Sequence, residues 1–270
     1  MTEIGKRTLT TFLLLSFLSF LYIFGNNTTF IAFISIISIY SFYEWTSISS
    51  KHIIFLPIFI ILNLTLYYID FINAYYLSIA TSLVWLILIY SMIFLSDHLK
   101  IFIRKYFILI GLFIFSSFFL LLINMYPYDV TLESDNNLVD NKHYFLFFII
   151  LISSIDIFAY VCGKTFGKNR IIPSISPNKT LEGYLGSYSL SILLFILFFN
   201  TSNLIWTYLD LLYLTIIIFL SFFGDLFMSF VKRAYNIKNT GNILPGHGGL
   251  LDRLDSYFPT IPLFYLWLMT

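Results

Sequence analysis

Long apolar runs recur from one end of this 270-residue chain to the other, and they constrain its fold more than any other feature. A helix that crosses a bilayer needs about 20 mostly apolar residues, roughly 17–25. Nine candidate segments stand out: 8–24, 28–43, 52–69, 74–95, 106–124, 143–161, 183–200, 209–231 and 257–269. The last is short and carries Pro259 and Pro262, so the count of crossings is eight or nine. The runs are too long for the strands of a membrane barrel, which alternate over about 10 residues. Lipid offers no partner to a backbone N–H or C=O, so each run must satisfy these groups internally, as a helix. The expected fold class is all-α, a polytopic membrane helical bundle.

Charged residues make up 11% of the chain and its mean hydropathy is +0.88. A soluble domain usually carries about 25% charged residues. An ordinary soluble enzyme, a disordered tail and a nucleic-acid-binding domain are therefore excluded, and no nucleic-acid partner is expected. The single cysteine, Cys162, excludes a disulfide framework and a multi-cysteine metal site. Lys6 and Arg7 precede the first run as in a secretory signal, but no small-residue cleavage site follows it, so a retained helix is expected. With the N-terminus inside and nine crossings, every Lys and Arg except Lys142 falls on the inner side. The outer loop 125–141 carries Asp129, Glu133, Asp135 and Asp140 instead. The positive-inside rule thus predicts a cytoplasmic N-terminus. Residues 1–142 read as about five N-terminal transmembrane helices, and 143–270 as a second half with two inner loops, 162–182 and 232–256.

Those two loops are unlike the rest of the chain. They hold Gly163, Gly167, Gly241, Gly246, Gly248 and Gly249 beside most of the basic residues. Glycine lets backbone N–H groups approach phosphate oxygens, and Lys or Arg supplies charge. Inner-side topology plus turn glycines explains the same composition without any function. Two acids favour a site. Asp156 lies in the sixth run and Asp225 in the eighth, and a carboxylate in the hydrocarbon region is costly unless paired or functional. At about 1.5 Å per residue, Asp156 stands roughly 9 Å below Cys162 and Asp225 roughly 10 Å below Lys232. Both are expected at one depth, beneath the two loops. Asp225, Ser229 and Lys232 share a helix stripe, as do Asp156 and Tyr160. Asp252 and Asp255 fall on one face if their segment is helical. Near Asp225 such acids could hold Mg²⁺, which prefers hard oxygen ligands; a salt-bridged helix start is the alternative. His247 sits between glycines, where it is more often a hydrogen-bonding or phosphate-contacting group than a general base. The constellation reads as a metal-dependent phosphate site at the inner membrane surface, suited to joining a soluble phosphorylated compound to a lipid headgroup.

Ser229-Phe230-Val231-Lys232-Arg233, then Lys238, then Pro245-Gly246-His247-Gly248-Gly249, then Asp252-Arg253-Leu254-Asp255 closely resembles the pattern of the phosphatidate cytidylyltransferase (CDP-diacylglycerol synthase) family. Gly224-Asp225-Leu226, Asp156 with Ala159-Tyr160 and Gly163, Phe166-Gly167-Lys168, Ser176-Pro177 with Lys179-Thr180, Glu182-Gly183 and Glu44-Trp45 are also similar. The motifs cover about residues 156–256; the first half matches mainly as a stack of spans. The resemblance implies a multi-pass protein of a bacterial-type inner membrane with its active site facing the cytoplasm. It implies the reaction of CTP with phosphatidate to give CDP-diacylglycerol and pyrophosphate, with Mg²⁺ as cofactor, room for a second cation, and homodimerisation as an option. On the same grounds Asp225, Lys232, Arg233 and Asp252 would be catalytic, with Asp225, Asp252 and Asp255 on the metal. Asp156, Ser176, Lys179, Thr180, Lys238, His247 and Arg253, together with Asn178, would bind substrate. Backbone N–H groups of Gly248 and Gly249 would cradle the nucleotide or pyrophosphate.

Three positions depart from the family pattern: Met228 where Glu is usual, Asn239 where Asp is usual, and Asn178 where Lys is common. An Asn carbonyl can ligate a cation, but a thioether suits Mg²⁺ poorly. Either the two missing acids are dispensable, or the metal site is weakened, or the chain is a degenerate paralogue. Another CTP-dependent lipid nucleotidyltransferase or a lipid kinase is the alternative enzyme, although a kinase needs a base for a neutral alcohol and none is obvious. A scaffold or transporter is the non-catalytic alternative. A transporter should place acids near the midplane on paired broken helices, whereas these acids lie near one surface.

Overall fold

A computed structural model describes residues 25–49, 54–69, 73–125, 141–173, 176, 179–202, 205–237, 239–241, 243 and 248–270. The described residues form helices joined by short connections: α1 Asn27–Ile48, α2 Phe55–Ile69, α3 Ala74–Phe94, α4 Ser96–Met125, α5 Asn141–Phe166, α6 Leu181–Thr201, α7 Tyr208–Ala234, α8 Leu251–Leu254 and α9 Tyr257–Leu268. Among them α1, α3, α4, α5, α6 and α7 are long and apolar enough to cross a bilayer. The chain is an all-α, multi-pass membrane protein. The expected first span, 8–24, and nearly all of the outer loop lie outside the described residues.

Over the described residues, two expected spans are shorter than a crossing requires. At about 1.5 Å per residue, the 15 residues of α2 and the 12 of α9 fall short of a hydrocarbon core about 30 Å thick. In α9 the apolar residues Phe258, Ile261 and Phe264 are buried inside the bundle, so it is a core helix rather than a lipid-facing one. Elsewhere helices run on past the apolar runs. α5 continues through Lys164 to Phe166, beyond the expected end at 161. α4 begins at Ser96, ten residues before the expected start at 106. Its first turns carry Asp97, Lys100, Arg104 and Lys105, and the backbone breaks at Tyr106 (φ −110°, ψ 22°). In α5 charge ends the hydropathy run without ending the helix, whereas in α4 the expected start at 106 falls on the break between a charged segment and the apolar one.

The later part of α4 forms the centre of the bundle, with Phe115, Leu121 and their neighbours buried against α1, α3 and α9. Trp45 of α1 donates its indole N–H to the Phe107 carbonyl at 3.0 Å and stacks on the Phe107 ring at 4.3 Å. The Arg104 guanidinium donates to the Ala234 carbonyl at the end of α7, where the helix leaves acceptors unsatisfied. At the other end of α7, Asp210 closes a capping box with Thr207 and accepts the Trp267 indole N–H at 2.6 Å.

α5 and α6 form a hairpin. Its connection is drawn tight by an antiparallel bridge between Arg170 and Thr180. The Glu182 carboxylate accepts the N–H groups of Lys168 and Asn169, and the Thr180 hydroxyl caps α6 at Gly183 N–H, 3.2 Å away. Lys179 and Thr180 are thereby held at the head of α6. At Gly224 α7 packs tightly on the segment leading into α9, where a Cβ would run into the Asp255 carbonyl and the Pro259 ring. That contact sets Asp225 beside Asp255.

Candidate active site

One cavity of about 430 Å³ opens between α5, α6, α7 and α8. Its walls include Asp156, Asp225, Asp252 and Asp255, and the cations Lys179, Lys232 and Arg253. Ser176, Thr180, Asn239, Tyr160, Tyr184 and Ser187 also line it. The two inner loops and the two intramembrane acids therefore meet in one polar space, as expected from their common depth.

Each acid has a definite partner. Asp225 takes the Lys179 ammonium at 2.8 Å and, at 3.4 Å, the Ser229 hydroxyl one turn along α7. Lys179 also donates to the Phe222 carbonyl at 3.0 Å and lies over the Phe222 ring. Asp156, open to the cavity, accepts the Ser256 hydroxyl at 3.2 Å. Ser256 N–H in turn donates to Asp255 at 3.0 Å. Asp156, Asp225 and Asp255 are near enough to feel one another's charge, and Lys179 offsets part of it. Beneath them the Tyr257 hydroxyl lies 2.7 Å from that of Ser153 and donates to the Ile149 carbonyl.

Asp252 is held differently. One oxygen takes the Lys232 ammonium at 2.7 Å; the other accepts Thr240 N–H at 3.1 Å and Gly249 N–H at 3.2 Å. Burial alone would raise this carboxyl, but the Lys232 ammonium and the two N–H groups hold it below the ordinary carboxylate range.

This geometry bears on two expectations. Among the described residues no three His, Cys, Asp or Glu side chains gather into a metal-holding set, although Asp225, Asp252 and Asp255 all line the cavity. Asp252 has turned both oxygens to Lys232 and the loop. Likewise, Gly249 N–H is spent on Asp252 instead of facing a phosphate, and Gly249 packs behind the loop, where a Cβ would meet the Thr240 hydroxyl and the Glu44 carboxylate. Gly248, at φ 85°, sits beside Asp252 and, like Gly249, is not among the described lining residues. Arg233, exposed on α7, does not line the cavity either. Asn178, Lys238 and His247 lie outside the described residues.

The remaining donors suit Mg²⁺. That ion keeps several waters and is usually held by one or two carboxylates plus substrate phosphates, not by an all-protein cage. Hard carboxylate oxygens on Asp225 and Asp255, two acids and not three, match this chemistry. Met228 is 2% exposed in the apolar core and is not among the residues that line the cavity. Asn239 does line the cavity.

Sequence reasoning gave no role to the residue that ties the two halves together. Glu44, 2% exposed in the last turn of α1, accepts Leu250 N–H at 3.1 Å, Leu251 N–H at 2.8 Å and the Thr240 hydroxyl at 3.3 Å. A carboxylate at the end of an apolar run was the available signal.

The sequence model of the cytidylyltransferase family matches residues 5–270. The chain is similar to the phosphatidate cytidylyltransferase of Bacillus subtilis (strain 168), 44% identical over 128 residues, which take in 46% of this chain and 47% of that protein. The enzyme of the same name from Staphylococcus haemolyticus is 43% identical over 136 residues, 48% of this chain and 50% of the relative. That from Staphylococcus aureus (strain COL) is 40% identical over the same length and shares. The chain thus spans about half the length of the curated relatives it matches. With nearly its whole length matched by the family's own pattern, the chain belongs to the cytidylyltransferase family.

Proposed function

We propose that this protein transfers the cytidylyl group of CTP to phosphatidate, releasing pyrophosphate and leaving CDP-diacylglycerol in the membrane. The observation that carries this reading is the cavity itself, in which acids from membrane-spanning helices meet lysines and an arginine from polar segments. Such a space admits a soluble triphosphate from one side and a lipid headgroup from the other. The basic residues of both loops support a reading in which the cavity mouth faces the cytoplasm from an inner membrane.

In the reaction a phosphatidate phosphate oxygen bonds to the α-phosphorus of CTP. The bond from that phosphorus to the bridging oxygen breaks, and pyrophosphate leaves with the electron pair. A phosphate monoester has its second pKa at about 6, so the nucleophile is already ionised near neutrality and needs no general base. The difficulty is repulsion between two anions. Lys232 and Arg253 face the space where phosphates would lie, and Lys179 stands at the acid floor. These cations would hold the triphosphate and the lipid phosphate together, and screen charge on the leaving pyrophosphate. Asp225 and Asp255, with Asp156 behind them, would hold Mg²⁺, which neutralises phosphate charge when bound. Asp252 keeps Lys232 in place and the loop closed behind it.

The test is a pyrophosphate-release assay on the purified chain in lipid. Release should require CTP, phosphatidate and a divalent cation together. Formation of CDP instead of pyrophosphate would mark a lipid kinase and overturn the reading.

A further inference from the structure

We infer that Glu44, in the first half of the chain, is a positioning residue for CTP, acting through the segment that carries Asp252 and Arg253. The inference rests on the reading that the cavity binds CTP. Glu44 touches no cavity wall. Its carboxylate reaches behind the glycine loop and takes the N–H groups of Leu250 and Leu251, where the chain enters α8. The Thr240 hydroxyl donates to the same carboxylate, while Thr240 N–H donates to Asp252. Thr240 thus lies between two carboxylates, Glu44 behind the loop and Asp252 at the cavity.

The consequence is geometric. The two residues that follow the Glu44 contact, Asp252 and Arg253, both face the cavity. Asp252 fixes Lys232 at 2.7 Å. Whatever sets the start of α8 therefore sets two of the cations placed to meet phosphate. Glu44 does so from a helix some 200 residues distant in sequence. A charged acceptor suits this task because it satisfies several donors at once in a buried place. A neutral amide would have to turn one NH₂ toward N–H groups that also donate. The glycine at 249 belongs to the same device, since any side chain there would occupy the Glu44 and Thr240 contact.

The experiment compares the full chain with Glu44→Gln, Glu44→Asp and Thr240→Val in lipid nanodiscs. It reads KM for CTP, KM for phosphatidate, kcat and the thermal midpoint. Hydrogen bonds to a charged group are strong enough that Glu44→Gln should raise KM for CTP by about tenfold to a hundredfold. KM for phosphatidate should stay within about twofold, because the lost contacts bear on the α8 side of the cavity. Glu44→Asp should recover part of the loss, and Thr240→Val should raise KM for CTP by about threefold. A wild-type chain with no CTP-dependent turnover would sink the reading of the cavity and this inference with it. An active wild type whose Glu44→Gln variant melts lower, yet keeps its KM for CTP, would overturn the positioning role alone. Should Glu44→Gln fail to fold, Thr240→Val decides, and an unchanged KM for CTP in that variant would equally overturn it.

Discussion

The helices α1 to α4 and the segment from α5 to α9 satisfy their buried polar groups in different ways. In the first set the groups are mostly neutral and bond within their own helix. Ser35 donates to the Ile31 carbonyl, Asn63 to that of Phe59 and Thr81 to that of Leu77. The second set has such hydroxyls too, Ser154 on the Leu151 carbonyl and Ser187 on that of Tyr184, but it adds carboxylates and ammonium ions that bond across elements: Lys179 to Asp225, Lys232 to Asp252, Ser256 to Asp156. A hydroxyl that closes on its own helix costs little and constrains nothing beyond it. A charge in the same setting must find a partner elsewhere. Cross-element bonding of charge is therefore concentrated where the bundle is built for chemistry; from the first half, Glu44 reaches the segment entering α8 and Arg104 the end of α7.

The sharpest way to break this contrast is to neutralise one acid in the second set and one hydroxyl in the first. Asp225→Asn keeps the shape and removes the charge that Lys179 and a bound cation would both meet. Pyrophosphate release should fall by about a hundredfold or more. Thr81→Val, in α3, should leave release within about twofold of wild type. Comparable rates from both variants would dissolve the distinction. A step smaller is Lys179→Met, which leaves Asp225 without its ammonium partner. Turnover should fall by about tenfold or more, and Lys179→Arg should restore part of it. An unimpaired Lys179→Met would leave the pair as packing only.

Much of this contrast can be read in the sequence, for physical reasons that also mark where reading stops. Helices follow from run length because lipid forbids unpaired backbone. The common depth of Asp156 and Asp225 follows from helical rise, and both do line one cavity. Same-helix neighbours are legible as well: Ser229 does reach Asp225. Partners on other helices are not. Lys232 shares a stripe with Asp225 yet turns to Asp252, while Asp225 is met by Lys179, across 46 positions of sequence. The role of Glu44 depends on a contact across more than 200 positions. No periodicity encodes such distances. The expected end of the sixth run falls early for a related reason, since hydropathy senses where charge begins, as at Lys164, while the helix continues to Phe166; the start expected at 106 does coincide with the break at Tyr106.

A smaller effect is expected inside the second set, where α7 and the start of α9 meet with no room for a side chain. At Gly224 a methyl group would press on the Asp255 carbonyl and the Pro259 ring. Gly224→Ala should cost about 1–3 kcal/mol of stability through overpacking and lower the thermal midpoint by several degrees. Because the contact fixes Asp225 against Asp255, turnover should fall along with it. If the midpoint drops while turnover measured well below it is unchanged, the approach of α7 to α9 matters for packing and not for the site.

The smallest effect is a pH dependence that tests whether the glycine loop is held by charge. The Asp252 carboxyl is depressed in the folded chain, with the Lys232 ammonium and two loop N–H groups outweighing burial. A carboxylate depressed on folding contributes stability above its unfolded pKa of about 4. That contribution is lost as the pH falls through the folded value. The thermal midpoint of the wild type should therefore drop on acidification below about pH 4, as Asp252 is protonated and releases Lys232. Asp252→Asn has already given up that charge, so it should melt lower at neutral pH and show a shallower acid slope. Its loop keeps Glu44 on the other side, which predicts a partial loosening rather than collapse. Equal acid slopes in the two proteins would mean that Lys232 and the loop are set by packing alone, and the second half would then differ from the first in composition but not in how it is held.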